Sequence, residues 1–548
     1  MPVTYCIIGG GVAGTSVLHE LVKRLSVNAQ QPHSSADTKC GVHIYMFERA
    51  TSIGPGLAWG DGNSDVHLFN LAAGYASVIF GEWNSFLIWC KMKNLGHIEA
   101  TDYPPRRLFS EYTRAIVSKA CQYATDNGIS TNLFANSEVT RLEPFFDESF
   151  HNKYKITFEH AVNNPDQLPQ SIIAFCVFLC TGPASTSPSC FANLLGKTGY
   201  ISSPWPYQTL AQIPREAIVG IIGTGLTAVD VVKQLYSQGH CGPVHMGSRR
   251  GLLPTIKARC LLPPSACMYA TFPAVSLLLA RNSPGTVGLL DEYMRLVKQE
   301  WSEYFAREQP KRSVSTAAAV AVESSGSGPP THDQLLKAAA DCFDCAIAQQ
   351  EPIKNGVEML REHLREYHGQ EEQNDGRILW QECMPNILVS GVIQFMWSTL
   401  CIDEKKRFNS QLRAIFQVYN NPMPVSSGEE MFSYIERGWC QVRGGLLDVT
   451  CTSTSSSSSS PGTTGSNYSM IFSSNLNQSA AATETVQVDY LVNCTGFNTS
   501  YSDPAALSEL YKDMIATDTV SAYPCGGLEA DLMTGRVSVR CCSTSTGT

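Results

Sequence analysis

Three glycines near the start of the chain have the spacing of a turn that binds the diphosphate of a dinucleotide. They are Gly9, Gly11 and Gly14, and they follow a short apolar stretch. In such a turn the first glycine permits a tight strand-to-helix reversal, the second lets the backbone approach a pyrophosphate, and the third lets helix and strand pack closely. The phosphates lie at the helix N-terminus, where unpaired N–H groups and the helix dipole favour negative charge. The spacing therefore predicts a dinucleotide site.

The next apolar stretch ends in an acidic residue, Glu48, within the sequence IYMFERA. A carboxylate at the end of the second strand of a Rossmann unit binds the hydroxyls of the adenosine ribose. The polar segment 28–39 explains why Glu48 lies further from the glycines than the usual interval of about 20 residues. We therefore assign Glu48 to the same nucleotide site.

A second glycine turn lies in the segment AIVGIIGTGLTAVDVVKQL, where Gly223, Gly225 and Ala228 have a GxGxxA spacing. The following apolar stretch ends in VHMGSRRGLLP, so Arg249 and Arg250 stand where the first site has an acid. Guanidinium groups suit a phosphate, and an arginine at this place accommodates the 2′-phosphate of NADP. The pattern favours NADPH over NADH, and a solvated surface turn is the alternative for the two arginines.

Short apolar stretches alternate with amphipathic helices, which predicts an α/β fold with parallel sheets and right-handed crossovers. Two dinucleotide sites in one chain suit a flavin enzyme, which needs one for its prosthetic group and one for the hydride donor. We therefore expect two Rossmann-like dinucleotide-binding domains, one for FAD and one for NADPH, with a helical region and disordered insertions. The predicted domains are residues 1–205 (FAD-binding, first part), 206–480 (NAD(P)-binding, with a helical insertion) and 481–548 (FAD-binding, return segment). The Gly/Ser/Thr-rich segments 313–332 and 452–468 are predicted to be disordered.

Several elements are predicted from the apolar pattern alone. The predicted strands are Thr4–Ile8, Gly41–Phe47, Ile172–Cys180, Ala217–Ile222, Gly242–Met246 and Val486–Asn493. The predicted helices are Gly14–Arg24 and Thr227–Gln238. The central stretch, roughly 286–420, is predicted to be mostly helical, with apolar residues at helical spacing in Leu289–Phe305 and Ile393–Phe416.

Composition excludes several kinds of partner. The 40 Lys and Arg residues are outnumbered by 49 Asp and Glu, and no basic face or tail occurs, so we expect a small-molecule substrate and no nucleic acid. No apolar run reaches the roughly 20 residues that span a bilayer. The N-terminus does not have the pattern of a signal peptide. The 20 cysteines are scattered, several of them within apolar strands, so we expect free thiols and a cytoplasmic protein. The twelve histidines include no HExxH motif, and we expect no metal site.

Eight short motifs accompany these features. They are GPGLAWG (54–60), HLFNLAA (67–73), PPRRLFSEY (104–112), FLCTGP (178–183), SSPWP (202–206), IIGTGLTAVD (221–230), SRRGLLP (248–254) and LVNCTGF (491–497). Together they resemble flavoproteins with two dinucleotide-binding domains, which include the flavin-containing and N-hydroxylating monooxygenases. More narrowly, they resemble the FAD-NAD(P)-binding family. The resemblance implies FAD at the first glycine turn and NADPH at the second.

By this resemblance, the segment 54–73 passes beside the flavin ring. Gly56, Ala58 and Asn70 are then candidate contacts of the cofactor. His67, in the same segment, is a weak candidate for a catalytic proton donor, and a structural role is the alternative.

The chain also departs from the families it resembles. The segment 200–207 has no histidine where flavin-containing monooxygenases carry one. After the last motif we expect neither the small-residue turn nor the helix that usually closes the flavin site. Cys180 and Cys494 lie in strand-ending crossover motifs, and we interpret them as packing residues.

These features predict an FAD-dependent NAD(P)H oxidoreductase, in which hydride passes from NADPH to FAD and then to oxygen or an organic acceptor. A monooxygenase is one form of this reaction. Two alternatives stay open. One is a flavin reductase or dehydrogenase that does not activate oxygen, and the other is a catalytically idle nucleotide-binding scaffold.

Overall fold

The structure, a computed structural model, describes residues 3–29, 41–60, 62–146, 152–160, 170–183, 189–257, 267–312, 331–348, 356–368, 383, 387, 391–451, 467–473, 483–497, 501, 507–531 and 534–537. The chain forms two compact units. The first consists of Met1–Ile213 with Thr495–Thr548, and the second consists of Pro214–Cys494. The chain thus leaves the first unit after Ile213 and returns at Thr495, later than the boundaries predicted at 206 and 481.

The strands are β1 (Val3–Ile8), β2 (Val42–Phe47), β3 (Ile129–Phe134), β4 (Ser137–Phe146), β5 (Asn152–His160), β6 (Gln170–Ala174), β7 (Cys176–Leu179), β8 (Tyr200–Ile201), β9 (Val219–Ile222), β10 (Val244–Gly247), β11 (Cys440–Arg443), β12 (Leu446–Cys451), β13 (Tyr468–Ser473), β14 (Thr483–Val488) and β15 (Tyr490–Asn493).

The α-helices are α1 (Val12–Ala29), α2 (Gly56–Trp59), α3 (Ser85–Met92), α4 (Arg106–Asp126), α5 (Leu226–Ser237), α6 (Phe272–Arg281), α7 (Leu289–Arg312), α8 (His332–Ala348), α9 (Gly356–Tyr367), α10 (Val392–Thr399), α11 (Ile402–Arg407), α12 (Arg413–Asn420), α13 (Val425–Glu436) and α14 (Glu509–Ala516).

The first unit contains a parallel sheet with the strand order β3, β2, β1, β7. Ile8, the last residue of β1, pairs with Phe47 on β2 and with Leu179 on β7. Because these strands are parallel, their carboxyl ends meet at one edge of the sheet, and the first glycine turn begins there. Leu18 and Val22, one helical turn apart on α1, are buried in the core that covers this sheet.

A second sheet of the first unit is antiparallel and has the order β4, β5, β6. The single strand predicted over 172–180 is therefore wrong. The strand β6 ends at Ala174 in this sheet, whereas β7 begins at Cys176 in the parallel sheet. Both pieces are apolar, and no turn residue separates them, so the hydrophobic pattern does not reveal the change of sheet.

In the second unit, β11, β10, β9 and β15 lie side by side in a parallel arrangement. Ile222 pairs with Gly247 and with Asn493, so the second glycine turn and the two arginines leave the same edge of the sheet. The strand predicted over 486–493 is also wrong as a single element. It divides into β14, which pairs antiparallel with β13, and β15, which joins the parallel sheet.

Both units therefore contain a parallel sheet in which a strand, a glycine turn and a helix follow one another. This confirms the predicted α/β class with two Rossmann-like domains.

The helical part of the second unit has its own core, in which Tyr293 and Trp301 of α7 are buried together with Met396 of α10. The stretch with helical spacing over 393–416 is helical, but it is divided into several elements. The chain there forms α10, α11, a π-helical turn at Phe408–Leu412, and α12.

Residues 313–330 and 452–466 make up most of the two segments predicted to be disordered, and they lie outside the described residues. The predictions extended to His332 and Tyr468, and both residues are ordered. His332 begins α8, and Tyr468 begins β13 with its side chain fully buried. The prediction is wrong at these two positions because a polar sequence pattern does not show where packing resumes.

Within the described residues, no helix combines the length and the apolar character needed to cross a membrane. The same residues contain no group of three or more His, Cys, Asp or Glu side chains placed to hold a metal ion.

Candidate cofactor sites

The first glycine turn has no room for side chains at two of its three glycines. Gly9 has a φ of +102°, and a Cβ atom there would lie 2.2 Å from the carbonyl oxygen of Cys180. A Cβ atom on Gly14 would lie 2.0 Å from the carbonyl oxygen of Gly9. Gly9 thus lets the turn pass close to the end of β7, and Gly14 lets α1 pack closely on the end of β1.

The middle of this turn packs against the segment that begins at Gly54. The Gly54 N–H donates a hydrogen bond of 2.7 Å to the carbonyl of Gly10. Gly56 has a φ of +67°, and a Cβ atom on it would lie 3.0 Å from the Cα of Gly11. A Cβ atom on Gly11 would lie 3.2 Å from the Cα of Gly56. The structure therefore brings together Gly11 and Gly56, which the sequence assigned to different parts of the cofactor.

Glu48 is held at the end of β2 by two backbone groups. Its Oε2 accepts a hydrogen bond from the Gly10 N–H at 2.8 Å, and its Oε1 accepts one from the Ala50 N–H at 2.9 Å. Each carboxylate oxygen keeps a further lone pair. The side chain therefore ties the glycine turn to the end of the neighbouring strand and can still accept hydrogen bonds from ribose hydroxyls.

A cavity of about 680 Å³ lies in the first unit, at the carboxyl edge of its parallel sheet. Among the predicted residues, its wall includes Gly9, Gly11, Glu48, Gly56 and Ala58. Small residues and exposed backbone thus form the part of the wall next to the glycine turn. Cavities of roughly 300–1,000 Å³ are usual for small-molecule and cofactor sites.

Three predicted residues, Gly14, Asn70 and His67, do not line this cavity. The side chain of Asn70 is partly buried, and its Oδ1 has no hydrogen-bond partner among the described residues. His67 is fully buried behind the wall: its ring stacks on that of Tyr207 at 4.0 Å, and Tyr207 lines the cavity. The Nδ1 atom of His67 accepts a hydrogen bond from the Ser64 N–H at 3.2 Å. The neutral ring therefore carries its proton on Nε2.

Part of the cavity wall consists of aromatic residues that the sequence did not assign to the site. Trp205 and Phe497 both line the cavity, and their rings stack at 4.9 Å with an interplanar angle of 19°. Both residues occur in motifs that carried the family resemblance. No local pattern indicated their contact, because almost 300 residues separate them in the chain.

The return segment of the first unit also closes the cavity. Ser508, Leu510 and Tyr511, at the start of α14, line it, and the Tyr511 hydroxyl is hydrogen-bonded to the Thr181 hydroxyl. The expectation that no helix follows the last motif is therefore wrong. The helix α14 reaches the cavity with the side chains of Leu510 and Tyr511.

Of the two crossover cysteines, Cys494 is buried and Cys180 is partly buried. Burial raises the pKa of Cys180 to about 11, and burial also raises the pKa of Cys494. Such thiols stay protonated near neutral pH and are poor nucleophiles. Their environment suits the packing role predicted for them.

The second glycine turn is more open than the first. Gly223 has a φ of +113° and follows the end of β9, and Gly225 is the N-cap residue of α5. A Cβ atom on Gly225 would meet no heavy atom within 4 Å other than those of its chain neighbours. Ala228 is fully buried on α5 and carries the Cβ that the first turn excludes at the corresponding position, Gly14. The helix N-terminus is thus accessible to a diphosphate.

Arg249 and Arg250 follow β10 at the same edge of this sheet. Arg249 is exposed and Arg250 is partly buried. Burial and the charge of Arg249 lower the pKa of Arg250. A bound dianion would relieve the repulsion between the two guanidinium groups.

The two sheets and their glycine turns define a protein with two dinucleotide-binding domains. A family model described as FAD-NAD(P)-binding matches residues 6–162, which contain the first glycine turn, Glu48 and the segment 54–73. Over these residues the match confirms the resemblance to that family. No curated protein matches the chain.

Solved structures give weaker similarities. L-lysine 6-monooxygenase from Pseudomonas syringae is 14% identical, with 99% of this chain and 90% of that chain covered and a TM-score of 0.48. The ornithine N-hydroxylase KtzI of Kutzneria sp. 744 is 12% identical, with 98% and 90% covered and a TM-score of 0.47. Ornithine hydroxylase PvdA from Pseudomonas aeruginosa is 10% identical, with 96% and 90% covered and a TM-score of 0.45. Similarities this low do not assign the activities of these enzymes to the chain.

Proposed function

We propose that the protein is an FAD-dependent NAD(P)H oxidoreductase that acts on a small-molecule substrate. FAD would occupy the cavity of the first unit, and NADPH would bind at the second glycine turn. The observation that carries the proposal is the presence of two glycine turns whose neighbouring strands end differently. The first is followed by an acid, which suits a ribose, and the second by two arginines, which suit a phosphate.

The residues of the first unit fit FAD. The backbone of Gly9 to Gly11 and the N-terminus of α1 would hold the diphosphate, and Glu48 would accept hydrogen bonds from the ribose. Gly56 and Ala58 offer a wall without bulky side chains, which would let a planar ring approach the backbone. The stacked rings of Trp205 and Phe497, which also line the cavity, would exclude water.

The residues of the second unit fit a dinucleotide with a 2′-phosphate. Gly225 leaves the N-terminus of α5 open to the diphosphate, and Ala228 packs this helix on its sheet. Arg249 and Arg250 would bind the 2′-phosphate through charge-assisted hydrogen bonds. A nicotinamide dinucleotide held by these residues would supply a hydride, and FAD held by the residues of the first unit would supply the acceptor.

His67 and Asn70 belong to the same proposal in a supporting role. His67 lies behind Tyr207, so it would orient that ring and would not exchange protons with a substrate directly. Asn70 has a buried carbonyl oxygen without a partner among the described residues, so its amide is a candidate to bind a group that arrives with the cofactor or substrate.

The absorption spectrum of the purified full chain, before and after anaerobic addition of NADPH, tests the proposal. We expect flavin bands that bleach with NADPH. Subsequent oxygen consumption with a hydroxylated product or peroxide would indicate a monooxygenase, and turnover only with an organic acceptor would indicate a reductase. A colourless protein that cannot be reconstituted with FAD would contradict the proposal and favour a nucleotide-binding scaffold.

The choice of NADPH over NADH is tested with Arg249→Ala. We expect the KM for NADPH to rise about tenfold, while the KM for NADH changes little, because only NADPH carries the 2′-phosphate. Arg437→Ala is the matched control, since Arg437 is an exposed arginine that precedes the amino end of β11, at the opposite edge of the sheet. An unchanged ratio of the two KM values in Arg249→Ala would show that the arginine does not bind the phosphate.

A further inference from the structure

The turn that carries Arg249 and Arg250 is attached to the second glycine turn by a chain of hydroxyl groups. The Gly251 N–H donates to the Ser248 Oγ at 2.9 Å. The Ser248 Oγ lies 3.0 Å from the Thr224 Oγ1, and the Thr224 Oγ1 donates to the carbonyl of Leu252 at 2.6 Å. Thr224 is buried, and it is the residue between Gly223 and Gly225.

The direction of these hydrogen bonds follows from the number of protons. Each hydroxyl has one proton to donate. Thr224 gives its proton to the Leu252 carbonyl, so Ser248 must donate to Thr224, while Ser248 itself accepts from the Gly251 N–H. Neither hydroxyl then has a proton left for a phosphate. In this arrangement Thr224 and Ser248 act by fixing the backbone of the arginine turn, and they do not bind the anion themselves.

The other side of the arginine turn is fixed to the connection between β11 and β12. The Ser248 N–H donates to the Arg443 carbonyl at 3.1 Å. In return, the Gly445 N–H donates to the Arg249 carbonyl at 3.0 Å. Gly251 has a φ of +68°, and a Cβ atom on it would lie 2.6 Å from the backbone nitrogen of Gly444. The Gly223 N–H also donates to the carbonyl of Gly247, just before this turn, at 2.7 Å, and the hydroxyl chain adds a side-chain link between the turn and the residues that would receive the diphosphate.

We propose that Thr224 and Ser248 are positioning residues that set the distance between the diphosphate site and the two arginines. This inference rests on the proposed function and deepens it, because it names the device that selects a dinucleotide with a 2′-phosphate. Arg249 and Arg250 repel each other, and a loose turn would let them separate. A turn fixed before binding avoids the entropic cost of ordering it when the ligand arrives.

Two probes without a nicotinamide test this proposal by calorimetry on the full chain. Adenosine 2′,5′-bisphosphate carries the 2′-phosphate, and adenosine 5′-monophosphate lacks it. For Thr224→Val and Ser248→Ala, we expect binding of the bisphosphate to weaken about tenfold and binding of the monophosphate to change less than about twofold. Thr224→Ser should restore the wild-type ratio, because it keeps the hydroxyl. Ser237→Ala, which removes a hydroxyl at the far end of α5, is the matched control.

The outcomes separate this inference from the proposed function. If Arg249→Ala lowers the preference for the bisphosphate and neither hydroxyl variant does, the positioning role is wrong and the NADPH site stands. If both ligands weaken equally in the hydroxyl variants, the hydroxyls serve only the stability of the unit, and the inference is again overturned. If Arg249→Ala leaves the preference unchanged, the NADPH assignment itself fails. Should Thr224→Val not fold, Ser248→Ala decides, because its side chain is only partly buried.

Discussion

The two glycine turns have the same spacing, yet they differ at the residue between the first two glycines. In the first turn this residue is Gly10, whose N–H donates to the Glu48 carboxylate at 2.8 Å. A Cβ atom on Gly10 would lie 3.0 Å from the Cβ of Glu48, which leaves little space for a side chain. In the second turn the residue is Thr224, and its side chain makes the corresponding link to Ser248 at 3.0 Å.

This difference is explained by the residues that follow the next strand, which are Glu48 after β2, and Arg249 and Arg250 after β10. A carboxylate accepts hydrogen bonds, so Glu48 can bind the backbone of its glycine turn and a ribose at the same time. An arginine has no acceptor, so Arg249 and Arg250 cannot bind the N–H groups of the turn beside them. In the second unit the side-chain link between the same two structural elements is made by the hydroxyls of Thr224 and Ser248, in addition to the backbone hydrogen bond from the Gly223 N–H to the Gly247 carbonyl. Under the proposed function, the arginines that would bind the 2′-phosphate thus depend on other side chains for this link, whereas the acid that would bind the ribose makes it itself.

The largest effect on the difference between the two turns is expected when a methyl group is added to the third glycine of the first turn. A Cβ atom on Gly14 would lie 2.0 Å from a backbone oxygen, and neither partner is a flexible side chain. We expect Gly14→Ala to lower the free energy of unfolding by about 3 kcal/mol or more and to abolish FAD retention. Chemical denaturation and the flavin content of the purified protein measure the two effects. Wild-type stability with full flavin content would mean that α1 can move away from β1 at no cost.

Substitution of the second glycine should affect the two turns differently. In the second turn it should weaken ligand binding alone, and in the first it should weaken both ligand binding and the stability of the fold. We expect Gly225→Ala to leave the unfolding transition unchanged, because its Cβ meets no other part of the chain, and to weaken NADP⁺ binding at least about tenfold by filling the approach to the diphosphate. In contrast, Gly11→Val should lose both FAD and stability, since a Cβ on Gly11 already lies 3.2 Å from the Cα of Gly56. Thermal melts and NADP⁺ titrations check this pair. Tight NADP⁺ binding by Gly225→Ala would exclude the second turn as the diphosphate site.

A smaller effect is expected when the acid of the first site becomes an amide. In Glu48→Gln, the side-chain NH₂ group would face the N–H of either Gly10 or Ala50, so one hydrogen bond is replaced by two opposed donors. We expect the free energy of unfolding to fall by about 1–3 kcal/mol and FAD to dissociate more readily. Denaturation curves and flavin release on dilution measure these changes. Glu138→Gln, at a residue that also lines the cavity, is a control of the same chemical type. An equal effect of both variants would mean that the charge of the cavity matters and the tie to the turn does not.

The smallest effect is expected at the third position of the second turn. Ala228→Gly gives α5 the residue that the first turn requires, but here the Cβ already fits. A glycine in a helix lowers stability by about 1 kcal/mol relative to alanine. We expect a loss of this size in unfolding experiments, with flavin content unaffected. A gain in stability would indicate that α5 is held away from its sheet by the methyl group.

The sequence was sufficient for the parts of the site that lie on one continuous segment. The intervals among Gly9, Gly11 and Gly14, and the acid or arginine after the next strand, follow from the way a diphosphate meets a helix N-terminus. The boundaries of the strands were harder to predict from the sequence. At Phe175 the chain passes from one sheet to another without a turn residue, because two apolar strands in different sheets look the same as one longer strand.

The sequence by itself determined that two glycine turns exist and that an acid follows the strand after the first turn and two arginines follow the strand after the second, because those features depend on residues close together in the chain. Only the tertiary structure decided that Gly11 packs on Gly56, that Trp205 and Phe497 form one wall, and that Thr224 binds Ser248. These contacts join segments far apart in the chain, so they depend on how strands and helices pack and not on any local pattern.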